Sequence, residues 1–191
     1  MRARKHIGIS SVIVKSFFLS KSSLGFTLIE IIVVFAVLAV ISVAGLASFV
    51  SYSRQQALVT EVNTLTSVIN LARSNAISQV KPSTKCVGAN LLTLDGYIVT
   101  LITTGDKNTY TLGVACGPGS DPGPTVYTFP QTITFDPVLT NVSTIYFRVL
   151  TGGVILKNSA GNEITNGSIV LENESAGLSK SITIDNSGKI E

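Results

Sequence analysis

Apolar residues are concentrated in one long stretch near the start of the 191-residue chain. Within residues 26–50, the polar side chains are Thr27, Glu30, Ser42 and Ser48. As a helix that rises 1.5 Å per residue, this stretch is about 37 Å long, which is enough to cross the hydrocarbon core of a bilayer. The pattern predicts a transmembrane helix over residues 26–50.

Past residue 50, the apolar positions narrow to one face of a helix. They recur at alternating steps of four and three, which is the period of an amphipathic helix. These positions are Leu58, Val62, Leu65, Ile69, Ala72 and Ala76. No proline interrupts residues 26–81, and a helix interior does not accept Pro82. The pattern predicts that residues 51–82 continue the same helix and that its apolar stripe packs on the rest of the chain.

From residue 83 onward, the pattern changes to short runs of apolar and β-branched residues that are separated by glycine and proline. Eight runs are predicted as strands: 97–104, 109–115, 125–129, 132–135, 143–150, 154–156, 168–171 and 181–184. We expect segment 117–124 to be an exposed loop and the turn 185–188 to lead into a last short strand. Residues 83–191 thus form an antiparallel β head, and the predicted fold class is α+β, with the long N-terminal helix packed on the sheet.

The distribution of charge predicts which side of the membrane each end of the chain occupies. Residues 1–25 contain no acidic side chain and five basic ones, which are Arg2, Arg4, Lys5, Lys15 and Lys21. The positive-inside tendency keeps such a segment in the cytoplasm and places the residues beyond the apolar stretch outside. Without residues 1–25, nine Lys and Arg remain against 11 Asp and Glu, and the net charge changes from +3 to −2. Charge therefore does not indicate DNA binding.

Three kinds of N-terminal segment fit a basic stretch followed by an apolar one. A secretory signal peptide has an apolar region of about 7–15 residues before a small-residue cleavage site. Residues 45–47 offer such a site, but the apolar stretch is too long. A permanent anchor and a leader whose apolar part is retained both fit the length. Glu30 bears on the choice, because a carboxylate near the bilayer centre costs roughly 2.5–3.5 kcal/mol and usually faces a partner; the alternative is that it reaches the interface near Lys21.

Residues 25–30, with the sequence GFTLIE, resemble the class III (prepilin-type) signal of type IV pilins and pseudopilins. In that signal a basic leader ends in glycine, phenylalanine comes next, and glutamate is the fifth residue counted from that phenylalanine. The resemblance implies that a prepilin peptidase cleaves between Gly25 and Phe26, so that residues 1–25 are a leader, and that the new amine of Phe26 is N-methylated. It also implies that Glu30 neutralises the amine of a neighbouring subunit during filament assembly.

Further features lie along the rest of the chain. Residues 70–77, with the sequence NLARSNAI, and the glycine-punctuated strands at 145–153 and 167–172 are similar to those of the H-type pseudopilin (GspH/FimT) family. The closing segment 182–190 has that family's Ile-x-Ile-turn-Gly pattern. The resemblance implies several partners: other pilin or pseudopilin subunits, the prepilin peptidase, an inner-membrane platform protein and an assembly ATPase.

Two cysteines, Cys86 and Cys116, lie in the part of the chain that is predicted to be exported, where oxidation is permitted. A bond between them would close a loop of about 30 residues and contribute about 3–4 kcal/mol in the chain-entropy model. Two buried free thiols are the alternative. Major pilins often staple their C-terminal loop with a disulfide, whereas no cysteine lies beyond Cys116, and this difference favours a minor pilin or a pseudopilin.

Catalytic and metal-binding chemistry is not indicated. The single histidine and the single methionine lie within the first six residues, and neither a nucleophile with a base nor a metal-ligand spacing occurs. Asp121, Asp136 and Asp185 are interpreted as turn residues rather than as a calcium site. Three glycosylation sequons in an Asn- and Ser-rich domain are close to chance. We expect no enzymatic activity, no metal and no cofactor.

The sequence therefore predicts a structural subunit, a minor pilin or pseudopilin, of a type IV pilus or type II secretion-like filament. It is expected in the cytoplasmic membrane with its C-terminal head outside, and then in a periplasmic or extracellular filament. Two alternatives remain open. A competence pseudopilin for DNA uptake would show a basic patch on its head, and a non-assembling membrane-anchored β-domain would keep its leader.

Overall fold

The computed structural model describes residues 25–82, 86, 93–105, 107–117, 119–120, 123–150 and 153–191. The five basic side chains of the predicted leader lie outside this part of the chain. The chain divides into two compact units, Met1–Ala44 and Gly45–Glu191. The described residues form one α-helix and ten strands in antiparallel sheets, which confirms the predicted α+β fold class.

Helix α1 spans Leu28–Ile77. In the first unit, every large hydrophobic side chain described between Phe26 and Ile41 is exposed. A helix of the length and apolar character needed to cross a membrane is not found among the described residues.

Helix α1 ends at Ile77, five residues before Pro82, where the sequence predicts its end. Gln79 adopts a positive φ of 52°, and its N–H donates to the carbonyl three residues earlier at 3.3 Å. The N–H of Val80 donates to the C=O of Asn75 at 3.0 Å. These two bonds form a Schellman motif, which usually has glycine at the left-handed position. The helix ends earlier than predicted because the chain forms this motif with glutamine instead.

The ten strands form two antiparallel sheets. Their bounds are β1 Leu94–Ile102, β2 Thr109–Cys116, β3 Gly119–Ser120, β4 Thr125–Thr128, β5 Ile133–Phe135, β6 Thr144–Arg148, β7 Val154–Lys157, β8 Glu163–Ile164, β9 Asn166–Asn173 and β10 Leu178–Asp185. The larger sheet has the order β3-β2-β1-β6-β7-β8, with β4 paired to the first part of β2. The smaller sheet has the order β10-β9-β5.

Each of the eight predicted strands overlaps an observed one, although β9 and β10 are longer than the predicted 168–171 and 181–184. The other differences lie in the shortest elements. Gly119–Ser120, within the segment that is predicted to be wholly a loop, pairs with the end of β2. The predicted last strand is reduced to one bridge between Ile184 and Ile190. β8 was not predicted. A strand of two residues carries no periodicity, so pattern reasoning does not detect it.

The second unit is built around one hydrophobic core. Its members come from α1 and from both sheets, and Tyr110 stacks on Tyr127 within it with ring centroids 5.0 Å apart. The predicted apolar stripe of α1 is confirmed, since five of its six positions are buried and Val62 is half-buried. The buried positions are Leu58, Leu65, Ile69, Ala72 and Ala76. Full burial of a leucine or isoleucine side chain contributes about 1.5–3 kcal/mol, so this stripe is a large part of what holds the helix on the head.

Candidate functional site

The start of α1 is set by a local hydrogen bond. Gly25, Phe26 and Thr27 precede the helix. The N–H of Glu30 donates to Thr27 Oγ1 at 3.3 Å, so Thr27 is the N-cap and Glu30 the third helical residue. The Thr-x-x-Glu pattern is a sequence signature of such a cap, so this role of Thr27 could have been found without a structure.

The carboxylate of Glu30 is left available by this geometry. Among the described residues, it has no hydrogen-bond or ion-pair partner. Together with Phe26, Ile31, Val34 and Phe35, it lines a shallow groove of about 300 Å³. A negative charge in the first helical turn is favourable in water, but in apolar surroundings it needs a cation. The structure thus brings Phe26 and Glu30, two of the predicted site residues, to one groove.

In the second unit, two arginines tie α1 to the turns at the two ends of β10. Arg54 Nη1 donates to the C=O of Ser175 at 3.1 Å, before the strand. Arg73 Nη1 donates to the C=O of Gly188 at 2.8 Å, after it. The helix between the two arginines is about 28 Å long and β10 is about 27 Å long, so the two elements match in length and run in the same direction. The helix end and the closing segment, which the family resemblance identified separately, contact each other through Arg73.

The turn after β10 is held by Asp185. One carboxylate oxygen accepts the Ser187 hydroxyl at 2.6 Å, the Ser187 N–H at 2.8 Å and the Lys189 N–H at 2.9 Å. The hydroxyl of Ser187, together with the N–H of Lys189, holds the pKa of Asp185 below its ordinary value. Gly188 has a φ of 77°, and a Cβ there would lie 2.9 Å from Val154, so glycine is the residue that fits.

Replacing Arg73 by alanine is expected to destabilise the protein by about 1.5–3 kcal/mol, because two backbone carbonyls in the turn lose a charged donor. The matched control is Arg54→Ala, which removes one bond at an exposed position and should cost less than about 1 kcal/mol. Urea unfolding of the full chain in detergent, monitored by near-UV circular dichroism, measures both. Equal losses in the two variants would contradict a special role for Arg73.

The low pKa of Asp185 predicts a dependence of stability on pH. Because its folded pKa is below the ordinary value of 3.8, its stabilising contribution is complete above that value and is lost as the pH falls through the folded pKa. Asp185→Asn keeps an acceptor but cannot titrate. We expect the midpoint of thermal unfolding of the wild type to exceed that of the variant at pH 6, and this difference to shrink at about pH 2–3. A difference that does not change with pH would contradict the assignment.

Cys86 and Cys116 form a disulfide, with their Cα atoms 5.1 Å apart and both side chains buried. The bond joins the connection between α1 and β1 to the last residue of β2. The hydroxyl of Tyr97 donates to the C=O of Val80 and holds the start of the same connection against β1. The disulfide therefore fixes the path of the chain where it leaves the helix.

Glu61 is a second carboxylate on α1, and sequence reasoning did not single it out as a site. Burial raises its pKa. Burial also raises the pKa of Tyr110 to about 12, to which the charges of Glu61 and Tyr127 add. The hydroxyl of Tyr110 therefore stays protonated at neutral pH and does not serve as a base. We interpret Glu61 and Tyr110 as parts of the packing between helix and sheet.

Metal and sugar sites receive no support from the geometry. No group of three or more His, Cys, Asp or Glu side chains is placed to hold a metal ion in the described part of the chain. Asp136 accepts backbone N–H groups in a turn, as does Asp185, whereas Asp121 lies outside the described residues. In one sequon, Asn173 is buried and its Oδ1 accepts the hydroxyl of Ser175, so its amide is not accessible to a transferase.

Two family models match the chain. One, described as type II transport protein GspH, matches residues 61–188, about two thirds of the chain. The other, described as the prokaryotic N-terminal methylation motif, matches residues 20–46. No curated protein and no solved structure gives a significant match. The GspH match includes both Arg73 at the helix end and the turn that it holds. Because this match covers about two thirds of the chain, the chain belongs to the GspH family of type IV pilin-like pseudopilins.

Proposed function

We propose that the chain is a minor pilin or pseudopilin, a structural subunit that assembles through its N-terminal helix into a type IV pilus or type II secretion-like filament. The observation that carries this proposal is the Glu30 carboxylate, which has no partner among the described residues and stands at the start of a helix with exposed apolar side chains. Such a surface needs apolar surroundings and a cation. Lipid supplies the apolar surroundings before assembly, and neighbouring helices supply them afterwards.

Cleavage between Gly25 and Phe26 by a prepilin peptidase is the first proposed step. Hydrolysis of this peptide bond leaves a carboxylate on Gly25 and a free α-amino group on Phe26. The amine then takes a methyl group from a methylsulfonium donor, which leaves as a thioether while the amine releases a proton. Glu30 is the nearest ionisable side chain along the chain, about one helical turn further on.

Charge pairing between subunits is the second proposed step. The amine of Phe26 and the carboxylate of Glu30 are each costly in hydrocarbon. When Glu30 of one subunit meets the amine of the next, both charges are neutralised within the apolar bundle. The pair stabilises one axial register over the others, as a buried polar group does in a coiled coil.

The proposed arrangement assigns a location to each segment of the chain. Residues 1–25 lie in the cytoplasm, residues 26–50 lie in the membrane, and residues 51–82 and 83–191 lie outside. This orientation is supported by the leader, which contains five basic side chains and no acidic one. An inner-membrane platform protein and an assembly ATPase then move the cleaved subunit into the filament. The role is structural, and no catalytic step is assigned to the chain.

The proposal is tested by locating the chain in cells that assemble the filament. Filaments are sheared from the cells or released from the membrane after cross-linking, and the chain is detected with an antibody against its head. We expect it in the filament fraction together with other pilin-like subunits. A chain that stays wholly in the membrane fraction while the filament assembles would show that it is not a subunit.

A further inference from the structure

The edges of the two sheets differ in how they are protected. Proteins commonly protect open edges with short strands, prolines or covering segments. In the larger sheet, β3 and β8 have two residues each, and β4 lies between Pro124 and Pro130. In the smaller sheet, β5 has three residues, and the N–H of Phe135 donates to the C=O of Lys107 at 2.9 Å. Among the described edge strands, β10 is the long one, with eight residues and no proline.

The outer edge of β10 is already paired at one end. The N–H of Thr183 donates to the C=O of Glu191 at 2.9 Å, and the N–H of Glu191 donates to the C=O of Thr183 at 3.0 Å. Backbone groups alternate between the two sides of a strand, so Ser181 and Ser179 also direct their N–H and C=O to this outer edge. These groups have no partner among the described residues, and residues 179–181 are exposed.

We propose that the backbone of Ser179 and Ser181 binds an extended, proline-free segment of a neighbouring pilin-like subunit as an added antiparallel strand. The added strand continues the line begun by Glu191, which already lies antiparallel to β10. Lys180 is exposed between the two serines and makes no ion pair within the described residues, so it favours a segment with Asp or Glu at that level. The inference rests on the proposed assembly, because assembly is what holds a neighbour beside this edge.

The added segment is not β10 of a second copy. Antiparallel pairing of two β10 edges would relate the two copies by a two-fold axis. Arg54 and Arg73 show that α1 runs in the same direction as β10, so the two helix segments would then run in opposite directions. Subunits that enter a filament from one membrane all point the same way. The added strand therefore comes from a segment that runs against the α1 direction of its own subunit.

The experiment places a photo-cross-linking amino acid, p-benzoylphenylalanine, at Ser179 of the full chain in cells that assemble the filament. We expect a cross-link to another pilin-like subunit in the filament fraction. Ser181→Pro removes the outward N–H from an edge strand that tolerates proline. It should lower the cross-link yield about tenfold, which corresponds to one lost hydrogen bond and an unpaired acceptor. Ser181→Ala is the matched control, because it removes the hydroxyl but keeps the N–H, and its yield should equal that of the parent.

The outcomes separate this inference from the proposed function. If the probe-bearing chain enters the filament without a cross-link to another subunit, or if Ser181→Pro and Ser181→Ala give equal yields, the edge pairing is overturned and the filament role stands. If the wild-type chain is absent from the filament, the filament role itself is overturned. If near-UV circular dichroism shows that Ser181→Pro is unfolded, the chain that carries only the probe at Ser179 decides the question: a cross-link to another subunit supports the edge pairing, and its absence overturns it.

Discussion

Replacing Glu30 by valine is expected to leave the chain cleaved and inserted in the membrane but to lower its incorporation into the filament by roughly 100-fold or more. The amine of Phe26 on a neighbouring subunit would then be buried without a counter-charge, and breaking a buried ion pair costs about 3–5 kcal/mol. Cleavage should persist, because the proposed cleavage site lies between Gly25 and Phe26 and the cap provided by Thr27 remains. Quantitative immunoblots of membrane and filament fractions measure both effects.

Two further variants separate charge from helix capping. Glu30→Gln keeps hydrogen-bonding atoms at the third helical position but has no charge, so it should fail in assembly as Glu30→Val does. Glu30→Asp keeps the charge on a shorter side chain and should retain part of the incorporation. Normal incorporation of Glu30→Gln would show that pairing with the amine is not what Glu30 contributes.

Removing the disulfide is expected to have the largest effect on the stability of the head. Cys86→Ser together with Cys116→Ser opens a loop with a sequence separation of 30 residues, and the chain-entropy model gives a loss of about 3–4 kcal/mol. Because stabilities of whole domains are typically about 5–15 kcal/mol, this is a large fraction of the total. Urea unfolding of the full chain in detergent, with the double variant beside the wild type, measures the loss.

Reduction of the wild type provides the matched comparison for the disulfide. The reduced wild type should unfold close to the double serine variant, since both lack the cross-link. Mass mapping after alkylation of the native protein should find Cys86 and Cys116 in one linked peptide. Two freely alkylated thiols, or a double variant as stable as the oxidised wild type, would contradict the contribution of the bond.

The parts of the fold that the sequence predicts well are those set by local periodicity. The apolar stripe from Leu58 to Ala76 follows from steps of three and four residues, and all of its positions except the half-buried Val62 are buried because the helix presents them on one face. The start of the helix is likewise local, since the bond that caps it joins Thr27 to Glu30.

The parts that the sequence does not predict depend on contacts between distant residues. The division of the strands into two sheets, the pairing of Gly119–Ser120 with β2, and the contact between Arg73 and Gly188 join residues that no local pattern relates. The end of α1 differs for another reason. Gln79 adopts a left-handed conformation that glycine usually takes at a helix end. Because the residue is glutamine, the sequence contains no helix-ending signal before Pro82.

The same division holds for the candidate site. The sequence identifies Gly25, Phe26 and Glu30 through the spacing of a motif, and the structure adds that the Glu30 carboxylate has no partner among the described residues. The sequence also finds NLARSNAI and the closing turn as separate features. The contact between them, which the guanidinium of Arg73 makes with the carbonyls of the closing turn, is seen only in the tertiary structure.

The mature N-terminus tests the central claim most directly. Intact-mass and N-terminal peptide analysis of the chain, purified from the cells that naturally produce it, should give a polypeptide that starts at Phe26 and carries one methyl group on the α-amine. That result agrees with cleavage by a prepilin peptidase and retention of the apolar helix. A chain that still begins at Met1, or one that begins after Ala47, would contradict the assignment as a filament subunit.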